Sequence, residues 1–125
     1  MSEKAGIRSM SHLSILPTVF TRLDLLEKSL RDEGFDVRVD ALLNDVIGPA
    51  RHVDLLAIWP DCRPIGWVTD SDGTVAMHGD LQRISQSGGL SHRLQRVSRR
   101  YALLQALDDV KQLSIPAAQV TVSAV

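Results

Sequence analysis

The sequence LSHRLQRVSRRYALLQALDDVK, residues Leu90 to Lys111, is the longest uninterrupted helical pattern in the chain. At about 100° per residue, its first half places an apolar stripe along one line. The stripe consists of Leu90, Leu94, Val97, Tyr101 and Leu104. Asp108 falls on the same line, so the stripe does not continue straight. The side of the helix next to the stripe is basic near the start of the helix and apolar near its end. We therefore predict a long helix that packs a core with one face and presents charge on another.

The basic flank of this helix carries Arg93, Arg96 and Arg100, with Arg99 and His92 nearby. One interpretation is a solvated flank whose arginine stems cover the sheet edge. The other is a site that binds carboxylates or phosphates, which cations near the positive end of a helix dipole would favour. We predict that changing Arg93, Arg96 and Arg100 to Glu leaves the melting temperature nearly unchanged and abolishes partner binding. The candidate interaction surface is Arg93, Arg96, Arg99, Arg100 and Tyr101.

The composition is that of an ordinary globular domain. The chain has 125 residues, of which 44% are hydrophobic and 23% charged, and it is long enough to bury about two thirds of its unfolded surface. The formal net charge of −1 provides no overall field to hold DNA or RNA, so we predict no nucleic-acid partner. No apolar run approaches the roughly 18 residues that a membrane-spanning helix needs, and we predict no membrane association.

The cysteine content and the N-terminus predict the location and the domain limits. Cys62 is the single cysteine, which excludes an internal disulfide and favours the reducing cytoplasm. Residues 1–9 are polar and lack a signal or transit pattern, so we predict a flexible N-terminal extension. Residues 10–125 are predicted to form a single α+β domain.

Hydrophobic periodicity predicts the element order α-β-β-β-β-α-β. Pro17 suits the first turn of the first helix, Gly34 suits the residue just past its end, and Asp72-Gly73 predicts a tight hairpin. The predicted elements are helix 16–33, strands 35–42, 52–59, 65–69 and 74–78, helix 90–111 and strand 119–125, with a loop at 44–51 and a flexible link at 85–89. We predict that both helices pack on one face of a largely antiparallel sheet of four to five strands, the other face being open to solvent or a partner.

Residues that could bind a metal or perform catalysis are present, but not in a pattern that indicates a site. The candidate ligands, none of them at a C-x2-C or H-x3-H spacing, are His12, His52, His78, His92 and Cys62. Turn formation explains the carboxylates Asp61, Asp70, Asp72 and Asp80 more simply than acid–base chemistry does. The Ser87-Gly88-Gly89 sequence lacks the lysine of a phosphate-binding loop. We predict no catalytic residue, no metal and no cofactor.

Three segments, SHLSILPT at 11–18, IGWVTDSDGTVAMHGDLQ at 65–82 and LQRVSRRYALLQAL at 94–107, resemble the hypothetical chloroplast reading frame 35 family, also called domain of unknown function 1257. This family occurs in algal plastids and cyanobacteria. The specific matches are Met10-Ser11-His12, Ile65-Gly66 with Asp80-Leu81, and Arg100-Tyr101-Ala102.

The chain departs from the family pattern at two places. Arg83-Ile84 stands where the family has an aromatic residue, and Ile47-Gly48-Pro49 stands in place of a glycine-rich stretch. The resemblance is therefore to a divergent bacterial member. It implies a small soluble protein without an established biochemical activity, encoded near an AAA-type ATPase and a ferredoxin-like protein, so that an AAA-type ATPase is an expected partner.

Two functional hypotheses remain at this point. The first is a non-enzymatic accessory or adaptor protein that acts in a protein complex through the long helix and the open sheet face. The alternative is a small-ligand or anion-binding domain that uses the arginine cluster. An enzyme of a new type ranks last, and the oligomeric state is left open.

Overall fold

The structure is a computed structural model that describes residues 13–44, 49–86 and 88–124, with only the backbone described at residues 81, 88 and 114–124. The elements are β1 Ser14–Pro17, α1 Leu23–Asp32, β2 Asp36–Leu43, β3 Arg51–Ile58, β4 Ile65–Thr69, β5 Val75–Gly79, α2 Leu81–Gln86 and α3 Gly88–Ala124. The predicted α+β class is confirmed. The predicted extension at residues 1–9 lies outside the described residues.

The five strands form one antiparallel sheet in the order β1-β5-β4-β3-β2. Trp67 on β4 pairs with Leu55 on β3 and with Met77 on β5, so these three side chains lie in one row across the sheet. The predicted hairpin between β4 and β5 is confirmed, since Gly73 has a φ of +87° and its N–H donates to the Asp70 carbonyl over 2.9 Å.

Both long helices pack on the same face of the sheet, as predicted. Leu26 and Leu30 from α1 and Val97 from α3 belong to one buried cluster together with Leu55 and Trp67 from the sheet. These residues occupy the regularly spaced apolar positions in the sequence of each helix and strand, so the predicted core positions are the ones that are buried. Gly34 follows α1 with a φ of +97°, the left-handed conformation predicted for it.

The opposite face of the sheet carries a second, smaller cluster. It is formed by Leu43, Val53 and Leu56, with Leu13 and Val68 packed against them. This face is therefore partly covered by the protein's own side chains. It is less open than the sequence predicted.

The start of the first helix is a correction. Residues 14–17 form β1 on the edge of the sheet, and the helix begins at Leu23 instead of at residue 16. Pro17 pairs opposite Ala76 in an edge strand, a position that tolerates its missing N–H, and a proline also disfavours helix at the residue before it. Val19, predicted to face the core, is 87% exposed.

The C-terminal strand is also a correction, because α3 continues through Ala124, beyond Pro116, in place of the strand predicted at 119–125. The short alternation at 119–125 does not outweigh the helix propensity of the Ala117-Ala118-Gln119 segment that leads into it. The predicted flexible link at 85–89 is wrong at Ser85 and Gln86, which belong to α2, and at Gly88 and Gly89, which belong to α3; Ser87 lies outside the described residues.

Candidate functional site

Three arginines of α3 surround the carboxylate of Glu33, at the C-terminal end of α1. Arg96 donates from Nε to Oε1 of Glu33 over 2.8 Å, and Arg100 donates from Nε to Oε2 over 3.3 Å. Arg93 donates from Nη1 to the Glu33 backbone carbonyl over 3.3 Å and stands 3.8 Å from Oε1. The Glu33 side chain is only 6% exposed. The basic flank therefore holds α1 against α3 through a buried carboxylate.

The arginines set the ionisation of Glu33. Burial alone would raise the pKa of this carboxyl, because a charged group loses its hydration. The hydrogen bonds from Arg100 and Arg96 outweigh burial, so the pKa of Glu33 lies below its ordinary value of 4.5. Glu33 is therefore ionised at neutral pH and offsets one of the positive charges around it.

Arg93 has a second structural contact that the sequence did not reveal. Its guanidinium carbon lies 4.5 Å from the ring centroid of Trp59, which is close enough for a cation–π interaction. Trp59 in turn packs against Phe35 at a centroid distance of 5.2 Å. Arg93 thus belongs to the packing between α3 and the sheet, more than to a free surface.

Arg96 and Arg100 also line a groove that is open to solvent. We call it the arginine groove; its volume is about 330 Å³, and it is lined by Glu33, His92, Arg96, Arg99, Arg100 and Leu103. Within the described part of the chain, Arg99 forms no ion pair. The groove has an excess of positive charge, because it is lined by Arg96, Arg99 and Arg100 but by only one carboxylate, that of Glu33. A second carboxylate, that of Asp32, lies 3.7 Å from Arg100 and compensates part of this excess. The groove can accept carboxylate or phosphate groups.

The same side of α3 becomes apolar farther along the helix. Leu103, Leu107, Val110 and Leu113, which we call the apolar stripe, are 54%, 58%, 60% and 82% exposed. Leu103 also lines the arginine groove, so the two surfaces are continuous. Residues 109–113 are all exposed, although the helix continues to Ala124. Residues 109–113 of α3 therefore lie outside the packed core.

Tyr101 lies on the core-facing stripe of the long helix, as its helical angle predicted, and not on the candidate interaction surface that also included it. Its side chain is 2% exposed and packs edge-on against Phe20 at a centroid distance of 4.6 Å. Its hydroxyl oxygen accepts hydrogen bonds from the backbone N–H groups of Thr21 at 3.0 Å and Arg22 at 3.1 Å. Tyr101 thus fixes the entry to α1 and belongs to the core.

Asp108 interrupts the core-facing line of α3 because it binds Arg22. The Arg22 guanidinium donates from Nη1 to Oδ2 of Asp108 over 2.7 Å, and from Nε and Nη2 to the two carboxylate oxygens of Asp24 over 3.0 and 2.7 Å. The hydrogen bond from Arg22 is the main cause that lowers the pKa of Asp24. This is a second electrostatic link between α1 and α3.

The carboxylates assigned to turns are found there. Asp72 accepts hydrogen bonds from the N–H and the hydroxyl of Thr74 at 3.0 and 2.6 Å, and Asp61 has a φ of +61° in the connection between β3 and β4. Asp80 precedes α2 and accepts from the N–H of Arg83 over 3.2 Å. Cys62 is half-buried against the main core.

One grouping of possible metal ligands was missed by the sequence analysis. Asp40, His52 and Asp54 offer ligand atoms that all lie within 4.8 Å of one another on β2 and β3. The spacing along the chain could not show this, because the residues meet across a strand pair. His52 already lies 3.3 Å from Asp40, and Asp54 accepts the N–H of Thr69 over 2.8 Å, so contacts within the protein account for the arrangement.

His78 lies elsewhere in the sheet and His92 in the arginine groove, while His12 is outside the described residues.

Glu33 is the residue of the site that the sequence analysis did not single out. A carboxylate next to the C-terminal end of a helix is unfavourable against the helix dipole unless cations neutralise it. Its position directly before Gly34, together with an arginine-rich second helix, was the available signal.

The scan against family models found no match to this chain, and the searches of curated proteins and of solved structures found none either. The resemblance to the chloroplast reading frame 35 family therefore stays a prediction. Among the described residues, no helix is both long and apolar enough to cross a membrane.

Proposed function

We propose that this protein is a non-enzymatic adaptor that binds an amphipathic segment of a partner protein along the exposed side of α3. The observation that carries the proposal is the continuity of the apolar stripe with the arginine groove through Leu103. One ligand that lies along α3 would bury apolar side chains at one end and pair with guanidinium groups at the other.

The exposure of the apolar stripe supports a partner. Its four large apolar side chains are each more than half exposed, and they lie on one side of a single helix. A contiguous exposed apolar surface usually marks an interaction site in a folded protein. In addition, residues 109–113 are all exposed, and helix that is not packed against a core has little stability in water, so a bound partner would stabilise this part of α3.

The charges define the chemistry of the partner. The arginine groove has more arginines than carboxylates, and Arg99 forms no ion pair within the described residues. A partner segment with acidic side chains at one end and apolar side chains along one face would match both surfaces. The resemblance noted from the sequence adds an AAA-type ATPase as one candidate, and a cytoplasmic location belongs to the same proposal.

A second candidate function is the binding of a small anion in the arginine groove. Arg99, which forms no ion pair within the described residues, favours it together with Arg96, whose side chain is 53% exposed beside it in the groove. Inorganic phosphate and citrate, added at about ten times their dissociation constant, would stabilise the folded state by about 1.4 kcal/mol and raise the melting temperature by several degrees. Loss of that shift in Arg99→Gln would place the anion in the groove.

The adaptor proposal is tested by purification of the tagged full chain from its native cells in three versions: the natural sequence, the double change Leu107→Glu with Val110→Glu, and Gln112→Glu. Glutamate is a good helix former, so the double change removes the apolar contact without breaking α3. Gln112 is an exposed neighbour on a different side of the helix, which makes it the matched control.

We expect a stoichiometric protein partner with the natural sequence and with Gln112→Glu, and loss of that partner with the double change. A further variant, Arg99→Glu, should bind the same partner more weakly. Peptides covering the partner should locate the contact in a segment that is both acidic and apolar. Recovery of the same proteins with all three versions, or purification of every version without a partner, would refute the proposal. A phosphate shift without a protein partner would favour the second function.

A further inference from the structure

We propose that the arginine groove binds a phosphorylated side chain of the partner segment, so that the partner binds to α3 only in its phosphorylated form. This role of the groove rests on the proposed adaptor function and specifies the anionic group at the acidic end of the partner. The groove has a volume of about 330 Å³. A cavity of about 150 Å³ holds benzene, so the groove has room for one large side chain with its head group.

The charges around the groove fit a group that carries two negative charges. The arginines in and beside it are Arg93, Arg96, Arg99 and Arg100, and the carboxylates are Glu33 and Asp32. Two positive charges therefore remain without a carboxylate, and Lys28, 3.9 Å from Asp32, adds a further cation. A phosphate monoester carries a charge of about −1.5 to −2 at pH 7, whereas one aspartate or glutamate would neutralise only half of this excess.

The positions of the arginines also favour a phosphate over a carboxylate. Arg99 and Arg100 follow Arg96 by three and four positions, so the three side chains leave α3 as neighbours, with Cβ atoms about 5–6 Å apart across each of these spacings. A carboxylate is planar, and a single guanidinium group occupies both of its oxygens. A phosphate monoester offers three acceptor oxygens, so one group can accept hydrogen bonds from two guanidinium groups at once.

The side chains that would bind the phosphate are accessible and partly fixed in position. Arg99 is exposed and has no ion-pair partner in the part of the chain that the structure describes. The side chains of Arg96 and Arg100 are 53% and 40% exposed, and Glu33 already orients both, so they lose less conformational freedom on binding. Leu103 also lines the groove, which places the phosphorylated residue next to the apolar part of the same partner segment.

The first test purifies the partner with the tagged full chain from native-cell extract treated with a broad-specificity protein phosphatase, and from extract that received the inhibited phosphatase. We expect at least about ten-fold lower recovery after active treatment, because the hydrogen bonds to phosphate are lost. Mass spectrometry should find the phosphate in the segment that contacts α3. Full recovery from the treated extract would overturn the phosphate proposal, while loss of the partner in the Leu107→Glu, Val110→Glu variant would still support the adaptor function. Recovery of no partner from either extract would overturn both.

The second test titrates the purified full-length protein with phenyl phosphate and with benzoate, which share a ring and differ in the anion. Calorimetry should show at least about ten-fold tighter binding of phenyl phosphate, as one additional charge-assisted hydrogen bond would give. Arg99→Gln should weaken this binding about ten-fold, since it removes a guanidinium group from the groove. Arg38→Gln makes the same change at an exposed arginine of β2 outside the groove and should leave the binding unchanged. No binding of phenyl phosphate, equal affinity for the two anions, or equal effects of the two variants would overturn the phosphate proposal, even where the adaptor function holds.

Discussion

Arg96 donates a hydrogen bond from Nε to Oε1 of Glu33 over 2.8 Å. The two residues are 63 positions apart in the chain, and their hydrogen bond joins α1 to α3. Glu33 lies where α1 ends, and Arg96 lies in the first half of α3. The basic surface of α3 thus has two roles. Its inner guanidinium atoms neutralise a buried carboxylate, and its outer ones face the solvent, where a partner can reach them.

Replacement of Glu33 by Gln should destabilise the fold. The change removes the charge on which Arg96 and Arg100 depend, and leaves the size of the side chain nearly unchanged. Because the arginines are partly exposed, water compensates in part, and we expect a loss of about 1–3 kcal/mol in the free energy of unfolding, below the cost for a fully buried pair. Urea denaturation measures it. Glu27→Gln is the control, since the exposed pair of Glu27 with Arg31 should contribute less than about 1 kcal/mol. Equal effects of the two changes would contradict the structural role of Glu33.

The contribution of Glu33 should depend on pH. Its pKa in the folded protein lies below the ordinary value of 4.5, so its stabilising effect is complete above that pH and is lost as the pH falls through the lower, folded value. The difference in unfolding free energy between the natural sequence and Glu33→Gln should therefore be largest near pH 7 and shrink towards pH 3. His78, whose pKa burial lowers, is present in both proteins, so its contribution cancels. A difference that stays constant over this range would mean that the charge of Glu33 is not involved.

Single charge reversals should separate the two roles of the arginines. Arg96→Glu would place a second carboxylate against Glu33 and is expected to cost about 2 kcal/mol or more, whereas Arg99→Glu should change stability by no more than about 0.5 kcal/mol. Thermal denaturation of both variants measures this. The expectation from the sequence, that reversal of Arg93, Arg96 and Arg100 leaves the melting temperature nearly unchanged, belonged to the binding-site interpretation and assumed that these arginines do not support the fold. Their contacts with Glu33 contradict that assumption. If both reversals left the melting temperature unchanged, the Glu33 network would have no role in stability.

The interior of the fold was predictable because its elements have strong local patterns. Strand β4, Ile65–Thr69, was predicted with its observed bounds, since prolines precede it and an Asp-Gly turn follows it. Gly34 and the two helices on one face followed in the same way from capping and periodicity. The ends of the chain were not predictable on this basis. β1 exists because residues 14–17 pair with β5, a contact that no local pattern of four residues reveals.

The site was predicted in part, for a similar reason. Helical angles correctly placed Arg96, Arg100 and Leu103 on one side of α3. They could not show that Glu33 approaches this side, because that contact depends on how α1 crosses α3. The candidate interaction surface wrongly included Tyr101, although the helical angles had placed this residue on the apolar stripe that packs the core, where the structure has it.

Removal of the Tyr101 hydroxyl should weaken the start of α1. Tyr101→Phe keeps the edge-on contact with Phe20 and leaves the backbone N–H groups of Thr21 and Arg22 without their acceptor. We expect a loss of about 1–2 kcal/mol in the free energy of unfolding. The amide protons of Thr21 and Arg22 should also exchange faster with solvent, while that of Val97 on α3 should change only as far as global stability does. Unchanged exchange at residues 21 and 22 would show that the hydroxyl does not hold this turn.

A side chain at position 66, where the chain has Gly66, should destabilise the fold unless Val53 is replaced by a smaller residue. A Cβ atom at this position would lie 2.5 Å from Cγ1 of Val53, well inside van der Waals contact, on the face of the second cluster. Gly66→Ala should therefore cost about 1–3 kcal/mol, and Val53→Ala should also be destabilising because it leaves a space. In the double variant the new methyl group occupies part of that space. Its loss of stability should therefore be smaller than the sum of the two single losses by at least about 0.5 kcal/mol. Urea denaturation of the four proteins gives this coupling.

Gly89→Ala is the matched control, because no atom lies within 4 Å of its added Cβ and alanine favours helix, and it should be neutral or slightly stabilising. Strict additivity in the double variant would contradict the close approach of β3 and β4 at this point.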